Sequence, residues 1–264
     1  MTISSRYAGP ANKTMKPPLS LEALWELDSR LDLGVFQKAD YEHLPPAALA
    51  YLTHSITEGT PLASAVRLKM QGTIKVKKRW LPFTGEQVIR WHQGFIWQAS
   101  AYSYGVPIRG SARLIAGEGS TEWRLFGLFP VMQASGPEET RSAIGRAKVE
   151  SVWLPSVLCH PEVTWTQTDR LHPHARITIQ HETSTLALDL EATGRVKSTS
   201  LFRWGNPERI AFPYVSFGGI LEEECTFDGY TIPTNVRIGW HFGTERFESE
   251  GEFFRATIDN ALFR

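Results

Sequence analysis

The stretch VRLKMQGTIKV, residues 66–76, alternates apolar and polar side chains with little interruption. Its apolar members are Val66, Leu68, Met70, Ile74 and Val76. Successive side chains of a β-strand point to opposite faces, so the alternation predicts a strand with one apolar face. The stretch NVRIGWHF, residues 235–242, repeats the pattern. Strands of this kind are typical of an antiparallel sheet that buries one face.

Similar strand patterns recur from residue 64 to the C-terminus, with PFTGEQV (82–88) predicted as a turn between the first two strands. Helical spacing predicts a helix that begins at Ser20 and ends before Gly34, a second over 45–58 and a third over 138–153. We therefore predict a mainly β protein with a strongly curved antiparallel sheet, a half-barrel or incomplete barrel. Helices 45–58 and 138–153 are expected to cover its concave face.

The composition is that of an ordinary globular protein, with 42% hydrophobic and 21% charged residues among 264. Residues 1–18 are polar and rich in proline and glycine, which predicts a flexible tail. Residues 19–264 are expected to form a single β-rich domain with N-terminal helices. The N-terminal stretch lacks an apolar segment, so we expect a soluble, cytoplasmic protein without stable membrane insertion.

Charge and motifs exclude several functional classes. The 28 Lys and Arg residues balance the 28 Asp and Glu residues, which argues against a nucleic-acid partner. No phosphate-binding glycine loop, nucleophile elbow or ligand set at metal spacing is present, so no cofactor and no metal site are predicted. The sequence leaves the oligomeric state open.

Arg146 and Glu150 are four residues apart on the predicted third helix and can therefore pair. At the mouth of a cavity, a desolvated Glu150 would have a raised pKa and could move protons. The alternative, and the commoner case for such spacing, is an ordinary exposed ion pair.

His241 lies between Trp240 and Phe242 in a predicted strand. It could serve as a general base, although it and Trp240 point to opposite faces unless a bulge re-aims one of them. A partly buried histidine bonded to a backbone carbonyl is the alternative. Pockets for small molecules are mainly apolar and aromatic, so Trp97, Trp153, Trp240 and Ile238 are candidate walls and Arg237 a candidate polar contact.

Several strings are similar to those of a bacterial family of unknown function. They include WLPFTGEQV (80–88), GFIWQA (94–99), GRAKVESVWLPSVL (145–158), GYTIPTNVRIGWHFGTERF (229–247) and GEFFRATID (251–259). The resemblance extends from about Tyr51 to the C-terminus and implies a shared fold, but no activity. Many relatives begin with an apolar anchor, which residues 1–18 lack. At the level of fold alone, the chain also resembles half-barrel lipoprotein carriers, which implies an apolar ligand.

These observations lead to one main hypothesis, the binding of a hydrophobic small molecule or lipid in the concavity of the sheet. The rival hypothesis is an enzyme that performs acid–base chemistry on an apolar substrate in the same cavity, as an isomerase, cyclase or hydrolase. Glu150 or His241 would then be the base, and Arg146 or Arg237 would stabilise developing negative charge. A purely structural domain with a filled interior is the third reading.

Overall fold

The computed structural model describes residues 19–27, 33–76, 78–208, 210 and 213–264. The predicted tail over 1–18 lies outside these residues. Three α-helices are described, α1 (Leu21–Trp25), α2 (Pro46–Ser55) and α3 (Pro137–Val149). The strands are β1 (Ala65–Val76), β2 (Arg79–Arg90), β3 (Gly94–Ser103), β4 (Val106–Ile115), β5 (Glu118–Leu125), β6 (Phe129–Ser135), β7 (Thr164–Gln167), β8 (Pro173–Ile179), β9 (Glu182–Leu190), β10 (Val196–Trp204), β11 (Tyr214–Phe227), β12 (Tyr230–Trp240) and β13 (Glu252–Phe263).

All thirteen strands belong to one antiparallel sheet, in the order β6-β5-β4-β3-β2-β1-β13-β12-β11-β10-β9-β8-β7. Most neighbours in this order also follow one another along the chain, because short turns join them. The long connection between β6 and β7 carries α3 and takes the chain from one edge of the sheet to the other. The first strand, β1, pairs with the last strand, β13, at the centre of the sheet.

The position of α3 shows that the sheet is strongly curved. This helix contacts β4, β5 and β6 near one end of the sheet and β8, β9 and β10 near the other. A flat sheet cannot bring both ends to one helix, so the face that α3 covers is concave. The predicted fold class, an open and strongly curved antiparallel sheet with few helices, is confirmed.

The apolar residues of the concave face form one core with α2 and the segment that follows α3. The alternating residues Val66, Leu68 and Met70 of β1 all belong to it, as the sequence pattern predicts. Ala48, Tyr51 and Leu52 of α2 pack into the same core. The second helix therefore covers the concave face as expected, although it spans only Pro46–Ser55 and not 45–58.

The third predicted helix is divided. Its α-helical part ends at Val149, and a 3-10 turn follows over Glu150–Trp153. Pro155 then begins another 3-10 turn, Pro155–Cys159. Because proline lacks a backbone donor and restricts the residue before it, a regular helix cannot continue through this point.

The first helix lies on the other face of the sheet. The Oγ of Ser20 accepts a hydrogen bond of 3.0 Å from the Ala23 amide, which caps the helix as predicted. Leu21 and Leu24 pack against Val88 and Ile96 in a small separate cluster. The described helix ends at Trp25, and part of its predicted extension lies outside the described residues.

The predicted turn over PFTGEQV (82–88) is wrong, because these residues form the middle of β2. Proline and glycine are common in turns, but both are compatible with this strand. Pro82 pairs with Thr73 of β1, whereas pairing with β3 begins at Phe83. A proline is tolerated within a strand where its backbone pairs with only one neighbouring strand.

No helix among the described residues is both long enough and apolar enough to cross a membrane.

Candidate functional site

A cavity of about 810 Å³ lies between α3 and the concave face of the sheet. Most of its wall is apolar or aromatic, with a few charged groups from β1, β10, α3 and the turn after α3. The lining residues are Ile74, Lys75, Val76, Leu81, Trp97, Ala101, Ile108, Ala112, Thr121, Trp123, Val131, Met132, Arg146, Val149, Glu150, Arg203, Phe217, Ile238, Phe253 and Phe254.

Aromatic rings build the floor of the cavity. Trp97 contacts Trp123 edge to face at a centroid distance of 5.9 Å, and it contacts Phe254 at 6.2 Å. Both Trp97 and Ile238, which the sequence proposed as walls, line this cavity. They reach it because each lies at an inward position of its strand, on β3 and β12 respectively. Edge-to-face contacts fix ring orientation, so the floor is a rigid surface.

Arg146 and Glu150 form the predicted pair, and it lies at the wall of the cavity. Arg146 Nε donates to Glu150 Oε1 at 2.6 Å, and Gln87 Nε2 donates to Glu150 Oε2 at 2.6 Å. The guanidinium of Arg146 also lies over the Phe95 ring at 4.7 Å. Each carboxylate oxygen of Glu150 thus accepts a hydrogen bond, which makes this group a fixed polar element of the wall.

Arg203 is a charged wall residue that the sequence analysis missed. Its Nε donates to the Ser142 carbonyl at 2.9 Å, and Nη2 donates to Ser142 Oγ at 3.1 Å. The guanidinium lies over the rings of Phe217 and Trp240, at 4.4 Å and 4.9 Å. Burial, and then the nearby charge of Arg146, lower the pKa of Arg203 to about 9.

Trp153 does not line the cavity, which corrects its expected position. Its side chain is 2% exposed, and its Nε1 donates to the Pro233 carbonyl at 3.1 Å. The reason is the change from α-helix to 3-10 turn after Val149, which moves the residues beyond Glu150 off the face of α3. Trp153 is therefore a core residue that joins this turn to β12.

Trp240 and Arg237 are also outside the cavity lining. Trp240 lies behind it, with its ring 4.9 Å from the Phe217 ring and under Arg203. Arg237 lies next to Ile238 in β12 and so points to the opposite face of the sheet. There it donates to Glu252 from Nε and Nη2, both at 3.0 Å. The hypothesis that Arg237 and Ile238 belong to one site is therefore wrong, because their side chains lie on opposite faces of the sheet.

His241 is separated from Glu150 as well. It follows the end of β12 with a φ of 57°, and its carbonyl accepts hydrogen bonds from the amide and hydroxyl of Thr244. Its Nε2 lies 4.0 Å from Glu208 Oε1. The left-handed backbone ends the alternation of β12 at this residue, so the two candidate bases do not meet in the cavity.

The fold brings His92 to His160 and Glu162, two potential metal ligands that lie far from it in the sequence. One ligand atom each of His92, His160 and Glu162 lies within 4.8 Å of the others. His92 follows β2, whereas His160 and Glu162 follow the 3-10 turn Pro155–Cys159. Zinc sites place nitrogen ligands about 2.0–2.1 Å from the ion, so these side chains would have to draw closer to bind one. Within the described residues, this is the group that could hold a metal ion.

The outer face of the sheet is different in character. Opposite charges pair across it, as in Arg67 Nε to Glu86 Oε1 at 2.7 Å. A shallow polar groove on this side is lined by residues such as Gln71, Glu86, Gln98 and Ser111. Small-molecule sites are usually concave and mostly apolar, whereas this groove is shallow and polar. The cavity under α3 is therefore the better candidate for a binding site.

Among solved structures, the fold is similar to a DUF1329 family protein from Desulfovibrio piger, with a TM-score of 0.42, 10% identity and coverage of 86% of this chain and 92% of that one. It is also similar to a putative outer membrane lipoprotein-sorting protein domain from Vibrio parahaemolyticus, with a TM-score of 0.40 and 9% identity. This match covers 76% of this chain and 86% of that one. The third similar structure is a LolA superfamily protein from Nitrosomonas europaea, with a TM-score of 0.43 and 8% identity. This match covers 83% of this chain and 92% of that one. All three are distant likenesses of fold.

No curated protein matches the sequence significantly. The family of unknown function DUF6920, in contrast, matches residues 42–263. This range includes every strand of the sheet, both helices of the concave face and all residues that line the cavity. The chain therefore belongs to the family of unknown function DUF6920.

Proposed function

We propose that this protein binds a hydrophobic small molecule or lipid in the cavity between α3 and the concave face. The observation that carries the proposal is the cavity itself, which is about 810 Å³ in volume and mostly apolar in its lining. Pockets that bind small molecules have volumes of roughly 300–1,000 Å³, apolar walls and a few well-placed polar groups. The cavity fits each of these descriptions.

The solvent-exposed part of the cavity lining includes apolar side chains. Val76, Val131 and Met132 line the cavity and are 42%, 58% and 48% exposed. Two of them belong to β6, an edge strand of the sheet. Exposed apolar side chains beside a cavity can contact an apolar molecule, which lowers the free-energy cost of bringing that molecule into the cavity.

A titration with the neutral fluorescent probe 1-N-phenylnaphthylamine tests the proposal. Ala112 lines the cavity, whereas the preceding residue, Ser111, lies on the outer face of β4. We expect Ala112→Trp to fill part of the cavity and to weaken probe binding at least tenfold. Ser111→Trp adds the same ring to the other face and serves as the matched control.

Equal weakening by both variants, or by neither, would contradict the proposal. Circular dichroism and thermal unfolding of both variants separate lost binding from lost folding. Mass spectrometry of an organic extract of freshly purified protein provides a second test, in which we expect an apolar compound in extracts of the wild type and less of it in those of Ala112→Trp.

A further inference from the structure

The cavity wall carries more positive than negative charge. Its ionisable members are Lys75, Arg146, Glu150 and Arg203. Lys75 lies near the outside, where its Nζ is 5.6 Å from the centre of the Trp80 ring. Glu150 is already paired with Arg146. Arg203 is consequently a wall cation that forms no ion pair with this carboxylate, although the charges of Glu139 and Glu150 act on it from a longer distance.

Arg203 makes no ion pair with any described residue. Its two hydrogen bonds go to a neutral residue, Ser142, and come from Nε and Nη2. The remaining nitrogen, Nη1, donates no hydrogen bond to a described residue. A buried guanidinium that has no carboxylate within hydrogen-bond distance is costly, and an anion that binds beside it offsets part of that cost.

The surroundings of Arg203 hold it in place for such an anion. Its aliphatic stem crosses α3 at Gly145, where an added Cβ would lie only 2.7 Å from Arg203 Cγ. Gly145 precedes Arg146, so the two arginines reach the cavity from adjacent parts of the wall. Phe217 and Trp240 fix the plane of the guanidinium from the other side. Two-point recognition of a carboxylate or a phosphate requires this kind of fixed guanidinium.

We infer that the molecule bound in the cavity is an amphiphile, an apolar chain that ends in one oxyanion headgroup, with the headgroup at Arg203 and Arg146 and the chain along the aromatic floor. The inference rests on the proposed function and narrows it to a class of ligand. A carboxylate and a phosphate share the chemistry that the arginines recognise, and the experiment distinguishes them.

The test compares ligands that have the same chain and different headgroups. Oleate, oleyl alcohol and 1-oleoyl lysophosphatidate are titrated into the full chain by calorimetry below their aggregation concentrations, with displacement of 1-N-phenylnaphthylamine as a second readout. We expect the wild type to bind at least one of the two anions ten times or more tightly than the alcohol. The better anion identifies the headgroup.

Variants of Arg203 decide whether this preference arises there. We expect Arg203→Met to reduce the ratio of anion to alcohol affinity to less than threefold, and Arg203→Lys to retain most of the ratio because it keeps the charge. Arg109→Gln removes an exposed arginine beside the outer groove and should leave the ratio unchanged. Thermal unfolding of each variant verifies folding, and the ratio is interpreted only for folded protein.

Two results would overturn the inference, and they differ in what else they remove. Equal binding of anion and alcohol by the wild type, or an unchanged ratio in Arg203→Met, rejects the headgroup and leaves the apolar cavity as a binding site. Absence of binding by the probe and by all three lipids rejects the proposed function together with the inference. If Arg203→Met does not fold, Arg203→Gln takes its place, because it also removes the charge but keeps a polar side chain. An unchanged ratio in folded Arg203→Gln rejects the headgroup in the same way.

Discussion

At the scale of single residues, the clearest electrostatic element of the molecule is Glu252 on the outer face. Its side chain is 1% exposed, and it accepts hydrogen bonds from Arg237 at 3.0 Å and from Arg255 at 2.7 Å. Burial alone would raise the pKa of Glu252, but the hydrogen bonds and charges of these arginines outweigh it and lower the pKa to about 2. Arg237, first considered as a ligand contact, has this structural role.

The depressed pKa predicts how stability depends on pH. Glu252 contributes stability that is fully present above its unfolded pKa of about 4.3 and is lost as the pH falls toward 2. We expect Glu252→Gln to lower the free energy of unfolding by roughly 2 kcal/mol at pH 7, after allowance for solvent screening of the arginines. Urea unfolding of both proteins at several pH values measures the difference.

This difference between wild type and variant should shrink steadily between pH 5 and pH 2. Glu248→Gln is the matched control, because Glu248 also bonds Arg237 but is 75% exposed. Its effect should stay below about 0.5 kcal/mol at every pH. A difference for Glu252→Gln that stays constant over this pH range would refute the assignment.

At the scale of elements, the contact between α3 and β5 positions the charged wall of the cavity. Gly119 lies inside β5, where its amide donates to Thr140 Oγ1 at 2.9 Å. A Cβ on Gly119 would lie 2.6 Å from the Thr140 Cα and 2.8 Å from the Glu139 carbonyl oxygen. Glycine is needed there so that helix and strand can approach closely.

We therefore expect Gly119→Ala to push α3 away from β5 and to destabilise the protein by about 2 kcal/mol. Ser120→Ala, at the neighbouring position that points to the other face, should change stability by less than about 0.5 kcal/mol. Thermal and urea unfolding measure both values. Comparable stability of Gly119→Ala and the wild type would show that the helix has room to move.

At the scale of the whole molecule, one curved sheet uses its concave face in two ways. Toward α2, the face is filled by the protein's own side chains, among them Tyr51 and Leu52, which are fully buried. Toward α3, it encloses the cavity of about 810 Å³. Apolar side chains that face such a cavity lose contact with water when an apolar molecule binds there, and this transfer is favourable.

A ligand that binds only the folded state should therefore raise the unfolding temperature. At a free concentration one hundred times its Kd, the gain is about 2.7 kcal/mol, which corresponds to a shift of several degrees for a chain of this length. We expect this shift when oleate is added to extracted, ligand-free protein, measured by differential scanning fluorimetry with intrinsic tryptophan emission. The same addition to Ala112→Trp should give a much smaller shift. A shift of equal size in both proteins would place binding elsewhere.

Alternation within single strands was sufficient to predict the fold class and the inward position of Ile238, whereas Trp97 is a candidate wall because of its aromatic ring. Alternation failed where local signals conflicted. In LFRW, residues 201–204, Phe202 looks like the buried residue, yet it is 68% exposed and Arg203 faces inward. The inward register of Leu201 could have revealed this, because residues two apart share a face.

What the sequence by itself determined is most of the strands, although not β2, together with their apolar faces and the pairing of Arg146 with Glu150, because each depends on spacing along a few residues. Only the tertiary structure decided which inward side chains meet, and where space remains between them. The long connection after β6 places α3 across both ends of the sheet. This brings Glu150 and Arg203 to one cavity and Gln87 of β2 to within hydrogen-bond distance of Glu150. Contacts between such distant residues depend on strand order and curvature, which no local pattern encodes.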